Sequence, residues 1–363
     1  MQPKAQDFRR VRAAAQIIIA FAVVLFLLVQ ARFLLISLAT AIILFSLTSD
    51  AISSIARVRI GPARIPNWMA SITALAFMSA ILLSLSAIIL SQANTVLSTT
   101  IAYADRAPEA LAAAVGWLGP EAKEAVRQAV ATFDVAGYLR AIAGQAGSLM
   151  QGTVLVILFV GFLFAERVWF DTKLESLLGD KAQADRASRI IGSIIHRVNY
   201  YLLVKTLVSG ITGLMVYGVA RLFELDLAGA LGILAFVLNY IPAIGSIVAT
   251  VLVALVTFVQ LGDGSMTLVI FVIVGAIQFL NGNVIDPMLM GRALRVSSFG
   301  IIISLAFWGA VWGIPGMFLA VPIMVGAMIV CSHVPGLRPL AVLLSREGLP
   351  ETEEELHATR PAA

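Results

Sequence analysis

One cysteine, three histidines and a charged fraction of 13% among 363 residues are what this chain has little of. Cys331 has no second cysteine to pair with, which excludes an intrachain disulfide and a cysteine-based metal cluster. His196, His333 and His357 are too scattered for a histidine-rich metal site. Soluble domains carry about 25% charged residues. The low value here, beside 60% hydrophobic residues, means that most of the chain faces lipid or other apolar helices. No Gly-x-x-x-x-Gly-Lys-Ser/Thr stretch occurs, so the chain has no phosphate loop with which to use ATP. His-Glu-x-x-His and Gly-x-Ser-x-Gly are missing too, and no clustered acid–base set replaces them, which argues against an enzyme. The formal charge of +4 would suit nucleic acid if the Lys and Arg residues formed a patch. They lie instead in short loops between apolar spans, which is a topology signal.

The spans come in order. Arg9, Arg10 and Arg12 precede the uncharged run Ala13–Gln30, and Phe33–Ser49 follows almost at once. That pattern predicts a membrane hairpin with a cytoplasmic N-terminus rather than a signal peptide. Ile65–Ala104 is uncharged, and only its part up to about Leu90 is apolar enough to cross. Residues 105–147 are alanine-rich with balanced charges, and Pro108 and Pro120 suit the first turns of two short helices. Val126, Ala129, Val130 and Phe133 share one helical face there, as expected of an amphipathic cap outside the membrane. Ala141–Ala165 holds a fourth span. Glu166–Lys205 then carries seven Lys/Arg, including Lys205, and reads as cytoplasmic, with a helix around Arg189–Ile195 lying on the bilayer before a fifth span enters near Tyr200. The expected organisation is therefore membrane helices at 1–104, a helical cap at 105–147, a core transport region at 148–335 with a cytoplasmic loop at 166–199, and a cytoplasmic tail at 336–363.

Two later uncharged runs are too long for one crossing. Leu227–Gly262 has 36 residues and is interrupted at Asn239–Gly245; Val296–Ser332 has 37 and is interrupted at Trp312–Gly316. About 20 apolar residues suffice to cross a core of roughly 30 Å. Either each run is a single tilted helix, giving eight crossings, or each folds back at its break, giving six crossings and two hairpins. The charge rule favours the hairpins, because only then do Arg292 and Arg295 face the cytoplasm. Leu234-Ala235-Phe236 ahead of Ile241-Pro242 is echoed by Leu305-Ala306-Phe307 ahead of Ile314-Pro315, a faint mark of an inverted repeat. The expected fold class is an all-α polytopic membrane protein with six to eight transmembrane helices and two re-entrant hairpins broken at Pro and Gly.

Broken membrane segments point to transport, because backbone outside helical geometry survives at that depth only against protein or a watery cavity. The candidate pathway residues are Asn239 and Tyr240 at the first break, and Gln278, Asn281, Asn283 and Asp286 in the densest polar cluster of the second half. The candidate breaks are Pro242, Gly245, Pro287, Gly291, Gly313, Pro315 and Gly316. Plainer roles compete. Asn239 and Tyr240 would satisfy broken backbone, Gln278, Asn281 and Asn283 would bond between helices, Asp286 would pair with Arg292 or Arg295, and Trp308 and Trp312 would pack. An ionised Asp286 in mid-bilayer is costly and therefore functional or paired, and Pro287 disfavours helix at Asp286 itself.

The stretches Asn239-Tyr240-Ile241-Pro242-Ala243-Ile244-Gly245-Ser246, Gly282-Asn283-Val284-Ile285-Asp286-Pro287-Met288-Leu289-Met290-Gly291-Arg292 and Phe307–Pro322 resemble the autoinducer-2 exporter (AI-2E) family of bacterial membrane proteins. The family often has Glu-Pro at Asp286-Pro287, and Gly and Pro near Arg295 and Ser298. The resemblance implies a multi-pass protein of the bacterial cytoplasmic (inner) membrane that exports a small molecule such as autoinducer-2, with both termini cytoplasmic. It also implies a homo-oligomer. The residues themselves point to a lipid bilayer around the chain, no nucleic-acid partner and no resident cofactor, with H+ or Na+ as the coupling ion of a gradient-driven exporter. Some relatives are associated with sodium/proton exchange, so a cation/proton antiporter is one alternative. A non-transporting membrane scaffold is another.

Overall fold

Among the described residues of the computed structural model, every regular element is a helix. Those residues are 3–55, 67–104, 112, 119–132, 135–290, 296–346 and 348. Gly291, Arg292, Arg295, Pro108 and Phe133 lie outside these, as do residues 105–111 and 113–118 of the expected cap. Seven of the described helices are long and apolar enough to cross a membrane. Large apolar side chains such as Phe77, Phe162, Leu203 and Leu268 point outward along them. Helices apolar on every side are the solution a bilayer demands, because each satisfies its own backbone. The chain is an all-α polytopic membrane protein. Its contacts divide it into two units, residues 46–294 and residues 1–45 with 295–363.

The larger unit contains α3 (Asn67–Ala104), α4 (Pro120–Thr132), α5 (Val135–Glu166), α6 (Phe170–Leu178) and α7 (Lys181–Leu222), then α8 (Ala228–Leu238), α9 (Ile244–Leu261), α10 (Gly264–Leu280) and α11 (Asp286–Met290). Pro120 opens α4, where its missing N–H is no loss. Helix α5 contains the expected fourth span and packs along α3, with the Ser86 and Thr153 hydroxyls 2.8 Å apart. Gly179, left-handed at φ +66°, stops α6, and the Asp180 carboxylate caps α7 by accepting from the Ala182 N–H at 3.0 Å. From there α7 runs without interruption for 42 residues, about 63 Å at 1.5 Å per residue. The helix expected around Arg189–Ile195 and the span expected to enter near Tyr200 are one continuous helix, because nothing in 181–222 breaks it.

Three tight turns fold the rest of this unit. Helix α8 returns along α7, and Gly213 and Gly232 let the two backbones touch; a Cβ on Gly213 would stand 2.8 Å from the Gly232 carbonyl oxygen. Gly262 (φ +65°) and Asp263 turn α9 into α10, with the Asp263 carboxylate accepting from the Ser265 N–H at 2.8 Å. The Ser265 hydroxyl, donating to the same oxygen at 2.7 Å, and that N–H hold the exposed Asp263 carboxyl below the usual range. The core lies between these pairs, around Val216, Leu231, Ala235, Val253, Ile270 and Val274. Between α8 and α9 the chain leaves helical geometry at Asn239–Ala243. The Ile244 N–H donates to the Pro242 carbonyl at 2.7 Å, and Ala243 sits at φ +60°, ψ −53°. That is the rarer, strained form of γ-turn, adopted here by a residue with a Cβ.

In the smaller unit are α1 (Pro3–Gln30), α12 (Ser298–Trp312), α13 (Ile314–His333) and α14 (Arg338–Leu344), with α2 (Arg32–Ile55) starting beside α1. Helices α12 and α13 form an antiparallel pair. A Cβ on Gly300 would stand 2.6 Å from Met324 Cε and one on Gly309 2.7 Å from Met317 Cε, while Ser304 donates to the Ala320 carbonyl at 2.8 Å. Trp312 donates from Nε1 to the Leu28 carbonyl at 3.0 Å and packs with Leu25, Leu35 and Trp308. Both long runs thus break into two helices, so the single tilted helix is overturned for each. The breaks are not copies. The second turns on Gly313 at φ +68°, ψ −145°, and Pro315 lies harmlessly in the first turn of α13.

Candidate functional site

Helix α7 passes through apolar surroundings, yet one of its faces is polar. Lys205, Ser209 and Thr212, spaced four and three residues apart, are all buried, Lys205 to 3% exposure. Such spacing stacks side chains in a row along a helix. Each member of the row meets a residue from one of two places where the backbone departs from α geometry, the break after α8 and the junction of α10 with α11.

The first place is the break after α8. Asn239, 5% exposed, ends that helix and donates from Nδ2 to Ser209 Oγ at 3.0 Å. Tyr240 donates its hydroxyl proton to Thr206 Oγ1 at 2.8 Å, beside the row rather than in it. Gly245 is required for another reason: a Cβ there would overlap the Leu238 carbonyl, so the chain could not pass so close to the end of α8.

The second place joins α10 to α11. Residues Asn281–Ile285 form a π-turn, in which the Asp286 N–H donates to the Asn281 carbonyl five residues back. Pro287 supplies the cause, since it has no N–H to donate and its ring presses on the preceding turn. Widening that turn by one residue accommodates it without ending the helix. Asp286 is accordingly helical, at φ −55°, ψ −52°, against the expectation that the proline would force it out. Asn281, 1% exposed, donates from Nδ2 to Thr212 Oγ1. Lys205 Nζ lies 2.5 Å from Asp286 Oδ2, a charge-assisted contact between side chains 3% and 18% exposed. Tyr200 donates to the Leu289 carbonyl at 2.7 Å and secures α11 against the same helix.

Four expected residues therefore converge on α7: Asn239, Asn281 and Asp286 on the buried row, and Tyr240 beside it. Gln278 is buried in α10 one turn before Asn281. Asn283 is not part of the group; it is exposed and donates to the Phe279 carbonyl at 3.0 Å. The carboxylate's partner is Lys205, and the alternatives Arg292 and Arg295 lie outside the described residues, as does Gly291. Trp308 and Trp312 pack tilted with ring centroids 4.4 Å apart, in the smaller unit. Sequence reasoning missed Lys205, Ser209 and Thr212 because Lys205 was counted among loop charges. The signal was available: three polar residues at helical spacing between Val204 and Val216, in a stretch otherwise apolar on that side.

A row of neutral hydroxyl and amide groups beside one internal ion pair can exchange its hydrogen bonds with a polar solute or an ion. It offers no nucleophile with an oriented base. Comparison with known proteins agrees with that character. A family model described as AI-2E family transporter matches residues 17–336. The AI-2 transport protein TqsA of Escherichia coli is 32% identical over 203 residues, 55% of this chain and 57% of that protein. A candidate transport protein of Borreliella burgdorferi is 32% identical over 192 residues, 53% of each chain. Another, from Haemophilus influenzae, is 30% identical over 198 residues, 54% of this chain and 56% of its own. The matches span about half the length of these curated relatives. Their names are those of transport proteins, not of enzymes.

Proposed function

This chain belongs to the AI-2E transporter family, and on that premise we propose that it is a secondary exporter of a small, autoinducer-2-like molecule, driven by an ion gradient across the bacterial inner membrane. The observation that carries the reading is the convergence of two irregular backbone segments, Asn239–Ala243 and Asn281–Ile285, on the polar row of α7. Irregular segments at membrane depth are where transporters bind their substrates. Each is tied to α7 by single polar side-chain pairs, which a solute can replace one at a time. With no phosphate loop in the sequence, the energy comes from a gradient.

The Lys205–Asp286 pair supplies the coupling. While Lys205 neutralises Asp286, segment 281–290 is held on α7. A proton or Na+ taken up by Asp286 releases the ammonium, weakens that hold and lets the segment move. The same pair favours cation/proton antiport as a second reading, in which the coupling ion is itself the cargo. Cytoplasmic termini are supported by Arg9, Arg10 and Arg12 in the first turns of α1 and by Arg338 and Arg346. A homo-oligomer, with the helical cap at its outer face, follows the family resemblance.

Reconstituted into proteoliposomes, the protein should accumulate or release autoinducer-2 only when a pH or Na+ gradient is imposed. Flux of Na+ against protons without any effect of autoinducer-2 would favour antiport. Gradient-independent behaviour in both assays would remove the coupling reading altogether.

A further inference from the structure

Among the described residues, the buried side-chain nitrogen and oxygen atoms without a hydrogen-bond partner are Nε2 and Oε1 of Gln278 and Oδ1 of Asp286. Their neighbours along the same segment, Asn281 and Asp286 Oδ2, are both paired with α7. A carboxamide that is 4% exposed and bonded through neither end is a costly thing to keep in an apolar helix such as α10. Shorter or apolar residues would fill the position without that cost.

The π-turn brings the two together on one face. Gln278 and Asp286 are eight residues apart, which on an α-helix would set them about 80° apart around the axis. The turn at 281–285 absorbs one extra residue, leaving the equivalent of seven α-helical steps, within about 20° of two full turns. The unpartnered amide and the unpartnered carboxylate oxygen therefore lie in one line along the segment.

Resting on the export reading above, we propose that Gln278 and Asp286 Oδ1 are the groups that hydrogen-bond the transported solute, and that what each recognises is a neutral hydroxyl. The chemistry follows from the donor and acceptor inventory. The two groups stand about two turns, roughly 11 Å, apart along the axis. The carboxylate oxygen only accepts and the amide nitrogen donates, so one solute hydroxyl can donate to the first while another accepts from the second. While Lys205 neutralises Asp286, an anion would meet the carboxylate oxygen, and a cation could bind only by displacing the ammonium 2.5 Å away, the event assigned above to the coupling ion rather than to the solute. Gln278 is thus the residue that selects a hydroxylated solute over an inorganic ion.

The test uses the full chain and its Gln278→Met variant, which keeps length and removes both polar atoms. Thermal unfolding is followed in detergent, and saturation is measured in proteoliposomes with autoinducer-2 and, separately, NaCl. The expected result has two parts. Without solute the variant melts at the wild-type temperature or above it, because an unpartnered amide has been removed. The half-saturating autoinducer-2 concentration rises at least tenfold while the response to NaCl is unchanged. A lower melting temperature would mean that the amide is a paired structural group and would overturn the proposal. So would an unchanged half-saturating concentration, whatever the melting temperature. A wild type that does not respond to autoinducer-2 fails differently: it overturns the export reading, and this inference with it.

Discussion

Removing one end of the Lys205–Asp286 pair should be far worse than removing both. Lys205 is buried on α7, and its contact to Asp286 Oδ2 is 2.5 Å. In Asp286→Asn the ammonium is left without its counter-charge in the apolar interior; in Lys205→Met the carboxylate is. A buried pair broken at one end loses about 3–5 kcal/mol, whereas replacing both ends by groups of similar volume is often neutral or stabilising. The two single variants should therefore each lose about 3–5 kcal/mol, and Lys205→Met/Asp286→Asn about 1 kcal/mol or less. The interaction energy from this cycle is then several kcal/mol, above the 0.5–3 kcal/mol common for neighbouring side chains. Reversible unfolding of the four purified proteins in a denaturing-detergent titration measures it, and pH-dependent flux on the same preparations follows the coupling. Single variants that lose under 1 kcal/mol, or a double variant equal to the sum of the singles, would refute the account of a buried, mutually dependent pair. If the pair couples transport, Asp286→Asn also loses gradient-driven flux, and what remains loses its dependence on pH or Na+. A well-folded Asp286→Asn protein with wild-type flux and pH response would sink the coupling role.

Other expectations follow from the two breaks and from the topology. A Cβ at position 313 meets nothing within 4 Å, so Gly313→Ala is penalised by its backbone angles alone, by about 1–3 kcal/mol; Pro315→Ala, in the first turn of α13, should change stability by under about 0.5 kcal/mol, and the reverse ranking in thermal unfolding would refute the assignment of the break to Gly313. Ala243→Gly should relieve the left-handed γ-turn and stabilise by up to about 1 kcal/mol; a lower melting temperature would mean that the turn is not strained. Arg292→Cys in a Cys331→Ser background should react with an impermeant thiol reagent only from the cytoplasmic side. Labelling from outside would remove the hairpin topology and the orientation proposed for both termini.

Much of this protein is decided by composition and punctuation. Uncharged runs near 20 residues must become membrane helices, since no other element satisfies its backbone in hydrocarbon. An Ile-Pro with Gly close by marks an interruption within each run of 36 or 37 residues. Those local rules suffice for the all-α fold, for both breaks and for Asn239, Asn281 and Asp286 as candidates. They also supply the family, because its motifs lie at the breaks. Tertiary structure decided which side chain answers each of these. Lys205 looks like one more cation in a basic loop until α7 is seen to continue through it as a single rod, and only then does it become the partner of Asp286. Pro287 was expected to end helical geometry at Asp286, but the chain widened a turn instead, and that choice set the carboxylate on the face of α7. Asn283, indistinguishable from Asn281 by composition, points away because it stands two positions along the same turn. Spacing along a chain specifies which residues share a face; which face meets which depends on how separate helices pack, and that is a property of the folded whole.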